Sequence, residues 1–152
     1  MRSTTVSRVM NAPRDRVYQA LLDPEAIARW RVPTGMSAVV HEFEPREGGR
    51  VRISLTYNVP TTAGKTTSQM DTYHGHFVKL VPNAQVVETS EFETGDPELQ
   101  GIMTMTITLT EVENGTRVDA VHEGLPNGLS PDDNAQGWRD ALDKLATVVE
   151  SG

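Results

Sequence analysis

Apolar and polar residues alternate along most of the chain with a period of two, which is typical of strands that bury one face. The clearest case is residues 50–59, where every second residue from Val51 to Tyr57 is apolar. The same alternation, interrupted by turn residues such as Asn114-Gly115, predicts seven strands. They cover residues 3–10, 39–44, 50–59, 70–81, 85–93, 102–112 and 116–123.

Three segments have the period of a helix instead. The strongest lies at residues 130–152, where Ser130 is a good N-cap and Pro131 suits the first helical position. Its apolar residues recur every three or four positions and form one stripe. They are Trp138, Ala141, Leu142, Leu145, Val148 and Val149. Two short helices are predicted at residues 14–22 and 24–30, the second capped by Asp23 and started by Pro24.

This order of elements predicts an α+β fold. A strand, two short helices, six further strands and a long helix follow one another, and short connections favour antiparallel pairing. We expect a curved sheet of seven strands wrapped around the C-terminal helix, because a half-apolar helix needs a sheet to lie on. The two short helices should close the gap between strands one and two.

Two neighbouring residues predict how the long helix is seated. Trp138 should be largely buried, with a partner for its indole N–H. Gly137 precedes it, although glycine inside a helix costs about 1 kcal/mol relative to alanine. We therefore expect Gly137 to lie where a side chain would be crowded.

Composition limits the class of protein. The 152 residues suit one domain, expected to span residues 1–152. There is no cysteine, and the net charge of −7 argues against nucleic-acid binding. The first ten residues lack the apolar core of a signal peptide, and no run is apolar enough for membrane insertion. A cytoplasmic protein is the expectation.

Five segments spread over the chain resemble a known family. They are RVMNAPRDRVYQALLDPEAIARW, EFEPREGGRVRI, YHGHFVKLVPN, GTRVDAVHEGLP and GWRDALDKLATVVE. Together they resemble the helix-grip fold of the START-like (SRPBCC, birch-pollen-allergen-like) superfamily, and within it the branch named after the activator of the heat-shock-protein-90 ATPase. The resemblance implies a hydrophobic cavity between helix and sheet, open near the short helices. Arg31-Val32-Pro33 departs from the branch pattern, in which a second Trp and a Gly are usual.

Candidate chemistry is sparse. His74 and His76 lie two apart on one strand, and a third histidine such as His122 would make a zinc site conceivable. No carboxylate is placed to complete such a site, so we predict neither a metal nor a cofactor. Without a cysteine or a Gly-x-Ser-x-Gly motif, nucleophilic catalysis has no support, and no catalytic residue is assigned. General acid–base chemistry through Tyr57, Tyr73, His74 or His122 stays open.

The preferred function is therefore binding of a small hydrophobic molecule between the helix and the sheet. The predicted ligand-binding residues are Trp30, Met36, Leu55, Tyr57, Met70, His74, His76, Met103, Met105, His122, Trp138 and Leu142. Two alternatives follow from the resemblance: an enzyme similar to polyketide cyclases or hydrolases, and a module that interacts with a chaperone. A protein partner is therefore conceivable, and the sequence leaves open whether the protein is a monomer or a homodimer.

Overall fold

The computed structural model describes residues 2–57 and 70–150. Within these ranges it has seven strands and three α-helices. The elements are β1 (Ser3–Met10), α1 (Arg14–Leu21), α2 (Pro24–Trp30), β2 (Met36–Phe43), β3 (Arg50–Tyr57), β4 (Met70–Val81), β5 (Gln85–Phe92), β6 (Met103–Val112), β7 (Gly115–Glu123) and α3 (Pro131–Glu150). A short 3₁₀ turn at Pro97–Leu99 connects β5 and β6.

The strands form one antiparallel sheet in the order β1-β7-β6-β5-β4-β3-β2. Neighbours in the chain are neighbours in the sheet from β2 to β7, and β1 pairs with β7 through eight residues. The sheet curls into a half-barrel, which confirms the predicted fold class. One boundary differs clearly: β2 begins at Met36, three residues before the predicted start, because residues 36–38 pair with Tyr57, Thr56 and Leu55 of β3.

Helix α3 begins as its sequence predicts. The Ser130 hydroxyl accepts a hydrogen bond from the Asp133 backbone N–H at 3.3 Å. Its buried face contains the residues of the predicted stripe, except that Ala146 is added and Val148 is only partly buried. The buried residues are Trp138, Ala141, Leu142, Leu145, Ala146 and Val149. No helix in the described ranges is long and apolar enough to cross a membrane.

The short helices cover one end of the space between α3 and the sheet. The Asp23 side chain caps α2 by accepting from the Glu25 N–H at 3.0 Å. α1 reaches the C-terminal end of α3, where Arg16 donates to the carbonyl of Val149 at 3.2 Å. Side chains of α1, α2 and α3 belong to one buried apolar cluster, which extends along α3 as far as Trp138.

Candidate ligand-binding site

A hollow of about 490 Å³ lies between the N-terminal half of α3 and strands β2 to β7; we call it the α3 cavity. One part of its wall is apolar. That part consists of Met36, Leu55, Phe92, Met103, Met105, Trp138 and Ala141. The strands place these side chains inward because every second residue of a strand points to the same face. The cavity is thus roofed by a helix and floored by a sheet.

The mouth of the cavity lies between the α2–β2 connection and the β7–α3 connection, where the lining residues Thr34 and Ser130 are exposed. Basic side chains tie both rims to the body of the protein. Lys144 of α3 donates to the carbonyl of Val32 at 2.6 Å, and Arg2 donates to the carbonyl of Leu129 at 2.7 Å. The opening is therefore held by hydrogen bonds on both sides.

A buried ion pair forms part of the wall. The Arg31 guanidinium, which lines the cavity, donates to both carboxylate oxygens of Glu88, at 2.8 and 2.6 Å. The Glu88 side chain is 4% exposed and lies on the inward face of β5, between Val86 and Ser90. Burial lowers the pKa of Arg31, but the charge and hydrogen bonds of Glu88 and Tyr73 together outweigh it, so the pKa is raised and the guanidinium is charged. Such bidentate pairing fixes the orientation of both groups.

The Arg31 guanidinium also contacts two other lining residues. Its Cζ lies 5.3 Å from the ring centroid of Tyr73, and its Nη2 lies 3.7 Å from the sulfur of Met105. Burial raises the pKa of the Tyr73 hydroxyl, and Arg31 offsets this only in part. Near neutral pH the phenol therefore keeps its proton.

His122 is the second polar centre of the wall. Its Nδ1 accepts hydrogen bonds from the indole N–H of Trp138 at 3.0 Å and from the side-chain amide of Asn134 at 3.1 Å. The Asn134 oxygen in turn accepts from the Thr4 hydroxyl at 2.6 Å. Burial lowers the pKa of His122 to about 4, with a further contribution from the positive charge of Arg31, while the Asn134 hydrogen bond acts in the opposite direction. The imidazole is consequently neutral at physiological pH.

A third polar group lies at the end of the cavity formed by β3 and β4. Asp71 is 1% exposed and lines the cavity. The Tyr57 hydroxyl donates to its Oδ2 at 3.3 Å. The cavity therefore combines an apolar wall with a small number of fixed polar groups, the composition expected of a small-molecule site.

Seven of the twelve predicted ligand-binding residues line the α3 cavity together. They are Met36, Leu55, Tyr57, Met103, Met105, His122 and Trp138. The prediction that Trp138 is buried with a partner for its indole N–H is confirmed: it is 8% exposed and bonded to His122.

Two other predicted residues, Trp30 and Leu142, do not line the cavity, and the prediction for Met70 is not tested. Trp30 is 1% exposed, but it belongs to the core beside α1, where its indole N–H donates to the carbonyl of Ala20 at 3.1 Å. Leu142 is fully buried in the same core and does not line the cavity, although the preceding residue, Ala141, does. Met70 begins β4, and its side chain lies outside the described residues.

His74 and His76 lie on the outer face of β4. Their inward neighbours are Tyr73 and Phe77, which are buried. The His74 ring contacts the carboxylates of Glu93 at 3.0 Å and Glu91 at 3.1 Å. Within the described ranges, no three His, Asp or Glu side chains are grouped to hold a metal ion.

The apolar neighbours of these histidines gave a misleading signal. Val78 and Leu80 share their sequence parity, yet the pairing of β4 with β5 shifts between Phe77 and Lys79. This β-bulge inserts one residue, so Val78 stays on the outer face, 49% exposed, whereas Leu80 pairs with the buried Val86. Strict alternation along β4 would therefore assign a common face to residues that lie on opposite sides of the sheet.

The expectation that Gly137 is crowded is wrong. A Cβ added at this position would meet nothing within 4 Å. The reason is that Gly137 lines the α3 cavity rather than resting on a neighbouring backbone. The space that the residue faces belongs to the hollow itself.

Several polar residues of the site are not among the predicted ligand-binding residues. Arg31, Asp71 and Asn134 line the cavity, and Glu88 is the ion-pair partner of Arg31. Glu88 carried a usable signal, because it occupies an inward position of β5 between Val86 and Ser90. A buried carboxylate requires a partner, and Arg31 is the partner it has.

The comparisons with known proteins agree with this architecture. Residues 11–150 match the model of a family described as activator of Hsp90 ATPase homolog 1-like protein. The match covers most of the chain, and the chain belongs to this family, which is of the START type. No curated protein matches the chain.

Solved structures share the fold. A crystal structure of a protein from Chromobacterium violaceum is 33% identical, has a TM-score of 0.88, and covers 98% of this chain and 97% of that one. A solution structure of a protein from Arthrobacter aurescens is 18% identical, has a TM-score of 0.82, and covers 99% and 87%. A crystal structure of a protein from Rhodobacter sphaeroides is 18% identical, has a TM-score of 0.80, and covers 98% and 92%. The last two likenesses concern the fold alone.

Proposed function

We propose that the protein binds a small molecule with a mainly hydrophobic body in the α3 cavity. The observation that carries this proposal is the hollow of about 490 Å³ beneath the N-terminal half of α3. Small-molecule sites commonly measure ~300–1,000 Å³ and combine apolar walls with a few placed polar groups. A hollow of this size lowers the stability of the fold, because the side chains around it lack packing contacts on one side.

The geometry favours binding over acid–base catalysis. The single available lone pair of His122 lies on Nδ1, which is occupied by the donors of Trp138 and Asn134. A general base needs a free lone pair within reach of the substrate proton. Since the ring is also neutral near pH 7, it is poorly suited to act as a general acid there.

The geometry also favours a small-molecule ligand over a chaperone-interaction surface. Among the described residues, the exposed large hydrophobic side chains are Val9, Val39, Val78 and Ile102. They lie on β1, on β2, on β4 and just before β6, and no two of these strands are neighbours in the sheet. A docking surface generally needs a contiguous apolar patch. In the described part of the chain, the apolar side chains that border empty space line the α3 cavity instead.

The proposal is tested by ligand-induced stabilisation. The protein is screened by thermal unfolding against fatty acids, sterols and aromatic polyketides, and native mass spectrometry of the purified protein looks for bound compounds. A ligand present at about 100 times its Kd stabilises the folded state by about 2.7 kcal/mol. We expect at least one class to raise the melting temperature.

A matched pair of variants locates the binding. Ala141→Leu places a larger side chain in the α3 cavity, whereas Thr147→Leu places the same side chain on the exposed face of the same helix. We expect Ala141→Leu to weaken the ligand effect and Thr147→Leu to leave it unchanged. A panel that shifts no melting temperature, together with no retained compound, argues against the proposed function.

A further inference from the structure

His122 contains a buried hydrogen-bond donor that has no partner among the residues that the structure describes. The indole N–H of Trp138 can only donate, so the Nδ1 that it contacts at 3.0 Å is an acceptor and carries no proton. The proton of the neutral ring is therefore on Nε2. Nε2 is buried and makes no hydrogen bond to any residue that the structure describes.

The position of this donor connects it to the cavity. His122 is 7% exposed and lines the α3 cavity. In an imidazole the two nitrogens are on opposite sides of Cε1, so Nε2 points away from Trp138 and Asn134 of the helix. A buried donor without an acceptor is unfavourable, and this one is held in place by two hydrogen bonds on the other ring nitrogen.

We propose, on the basis of the proposed function, that the ligand carries a neutral carbonyl oxygen, as in a ketone, ester or quinone, which accepts a hydrogen bond from Nε2–H of His122. A carbonyl oxygen satisfies the donor without bringing a charge into the cavity. Trp138 and Asn134 are then positioning residues, because their hydrogen bonds determine which nitrogen of His122 carries the proton.

The charges around the cavity favour a neutral oxygen over a carboxylate. The positive charge of Arg31 acts on His122. That charge is already neutralised by the Glu88 carboxylate, both oxygens of which accept hydrogen bonds from Arg31. Asp71 adds a buried carboxylate to the lining of the same cavity. An anionic ligand would thus meet a second carboxylate rather than a free positive charge, and like charges in a buried site disfavour binding.

Three probes of nearly equal shape test this inference: 2-acetylnaphthalene, its hydrocarbon analogue 2-isopropenylnaphthalene, and 2-naphthoate. Their affinities are measured by titration calorimetry for the wild type and for His122→Phe, which removes the donor. The preference for ketone over hydrocarbon should fall by about tenfold in His122→Phe, the effect of losing one hydrogen bond. His122→Gln keeps an acceptor for Trp138 and a donor for the ligand, and should restore part of the preference.

A second measurement needs no variant. Nitrogen-15 NMR of histidine-labelled wild type reports which ring nitrogen carries the proton. We expect the Nε2–H form at pH 7, no protonation of this ring until the pH approaches 4, and a shift of the Nε2–H proton signal when the ketone, but not the hydrocarbon, is added. A double variant, Trp138→Phe with Asn134→Leu, removes both donors to Nδ1 and should release the ring into a mixture of both neutral forms.

The outcomes separate this inference from the function on which it rests. If both naphthalenes bind and their affinity ratio is the same in the wild type and in His122→Phe, the carbonyl inference is wrong and the proposed function stands. A proton on Nδ1, or tighter binding of naphthoate than of the ketone, also overturns it. If neither naphthalene binds and no compound of the wider ligand panel raises the melting temperature, both proposals fail.

Discussion

The two halves of α3 present apolar residues at the same spacing, yet they lie over different interiors. The C-terminal half, with Leu145 and Val149, belongs to a filled core that includes Val17 of α1 and Trp30 of α2. The N-terminal half, with Trp138 and Ala141, roofs the α3 cavity. The difference lies in what else enters the space: α1 and α2 pack at one end of the helix, whereas the other end borders the hollow.

The two ends also differ in polarity. The filled end buries aliphatic and aromatic side chains, whereas the wall of the hollow end contains His122 and Arg31, the latter paired with the buried Glu88. A fold can therefore bury charged groups beside an unfilled cavity, provided that each charged group has a fixed partner. Three matched pairs of substitutions test the comparison.

The largest effect is expected from breaking the ion pair. Arg31→Met leaves the Glu88 carboxylate buried without its partner, and such single removals cost about 3–5 kcal/mol. The free energy of unfolding is measured by urea denaturation. A double variant, Arg31→Met with Glu88→Leu, should recover most of the loss.

The control is Arg52→Met at the pair with Glu93, which has the same two-bonded geometry but lies at the surface, with side chains 40% and 29% exposed. Exposed pairs contribute about 0–1 kcal/mol. Equal losses in Arg31→Met and Arg52→Met would show that the wall of the cavity is not a low-dielectric site.

The next effect compares truncations at the two ends. Leu145→Ala opens a cavity in the filled core and should cost about 2–5 kcal/mol. Met103→Ala removes a side chain that already borders empty space, so most of the cavity penalty is absent and we expect a loss about 1–2 kcal/mol smaller. Both are measured by urea denaturation, and equal losses would contradict the distinction between the ends.

The smallest effect has the opposite sign. Gly137→Ala should stabilise the protein by about 1 kcal/mol, since alanine favours the helix and its methyl group enters open space. Thermal unfolding measures the change. A matched replacement, Gly75→Ala, should destabilise, because its Cβ would lie 1.7 Å from the carbonyl oxygen of Thr89. A Gly137→Ala variant that melts below the wild type would mean that this end of α3 is packed.

The fold was largely predictable because periodicity reports which face of an element is buried. The stripe on α3 and the caps at Ser130 and Asp23 are local signals, and the structure confirms them. Periodicity carries no information about the depth of the space beneath a face. For this reason Leu142 and Trp138 could not be separated: both belong to the buried cluster, but only Trp138 lines the α3 cavity.

The polar part of the site was less predictable for a different reason. Arg31 and Glu88 are 57 positions apart, and only the folded sheet brings them together. The outward position of His74 and His76 followed from the parity of Tyr73 and Phe77, but the bulge after Phe77 hid that signal. Pairs distant in sequence and one-residue irregularities are both invisible to a pattern read along the chain.

The chain has two tryptophans, and one lies at each end of the space beneath α3. The indole of Trp30 is bonded to a backbone carbonyl in the filled core, whereas that of Trp138 is bonded to His122 at the cavity. The intrinsic fluorescence of the protein is therefore the sum of two reporters with different neighbourhoods. A molecule that enters the cavity alters the surroundings of one indole only, so the spectrum distinguishes ligand entry from loosening of the core.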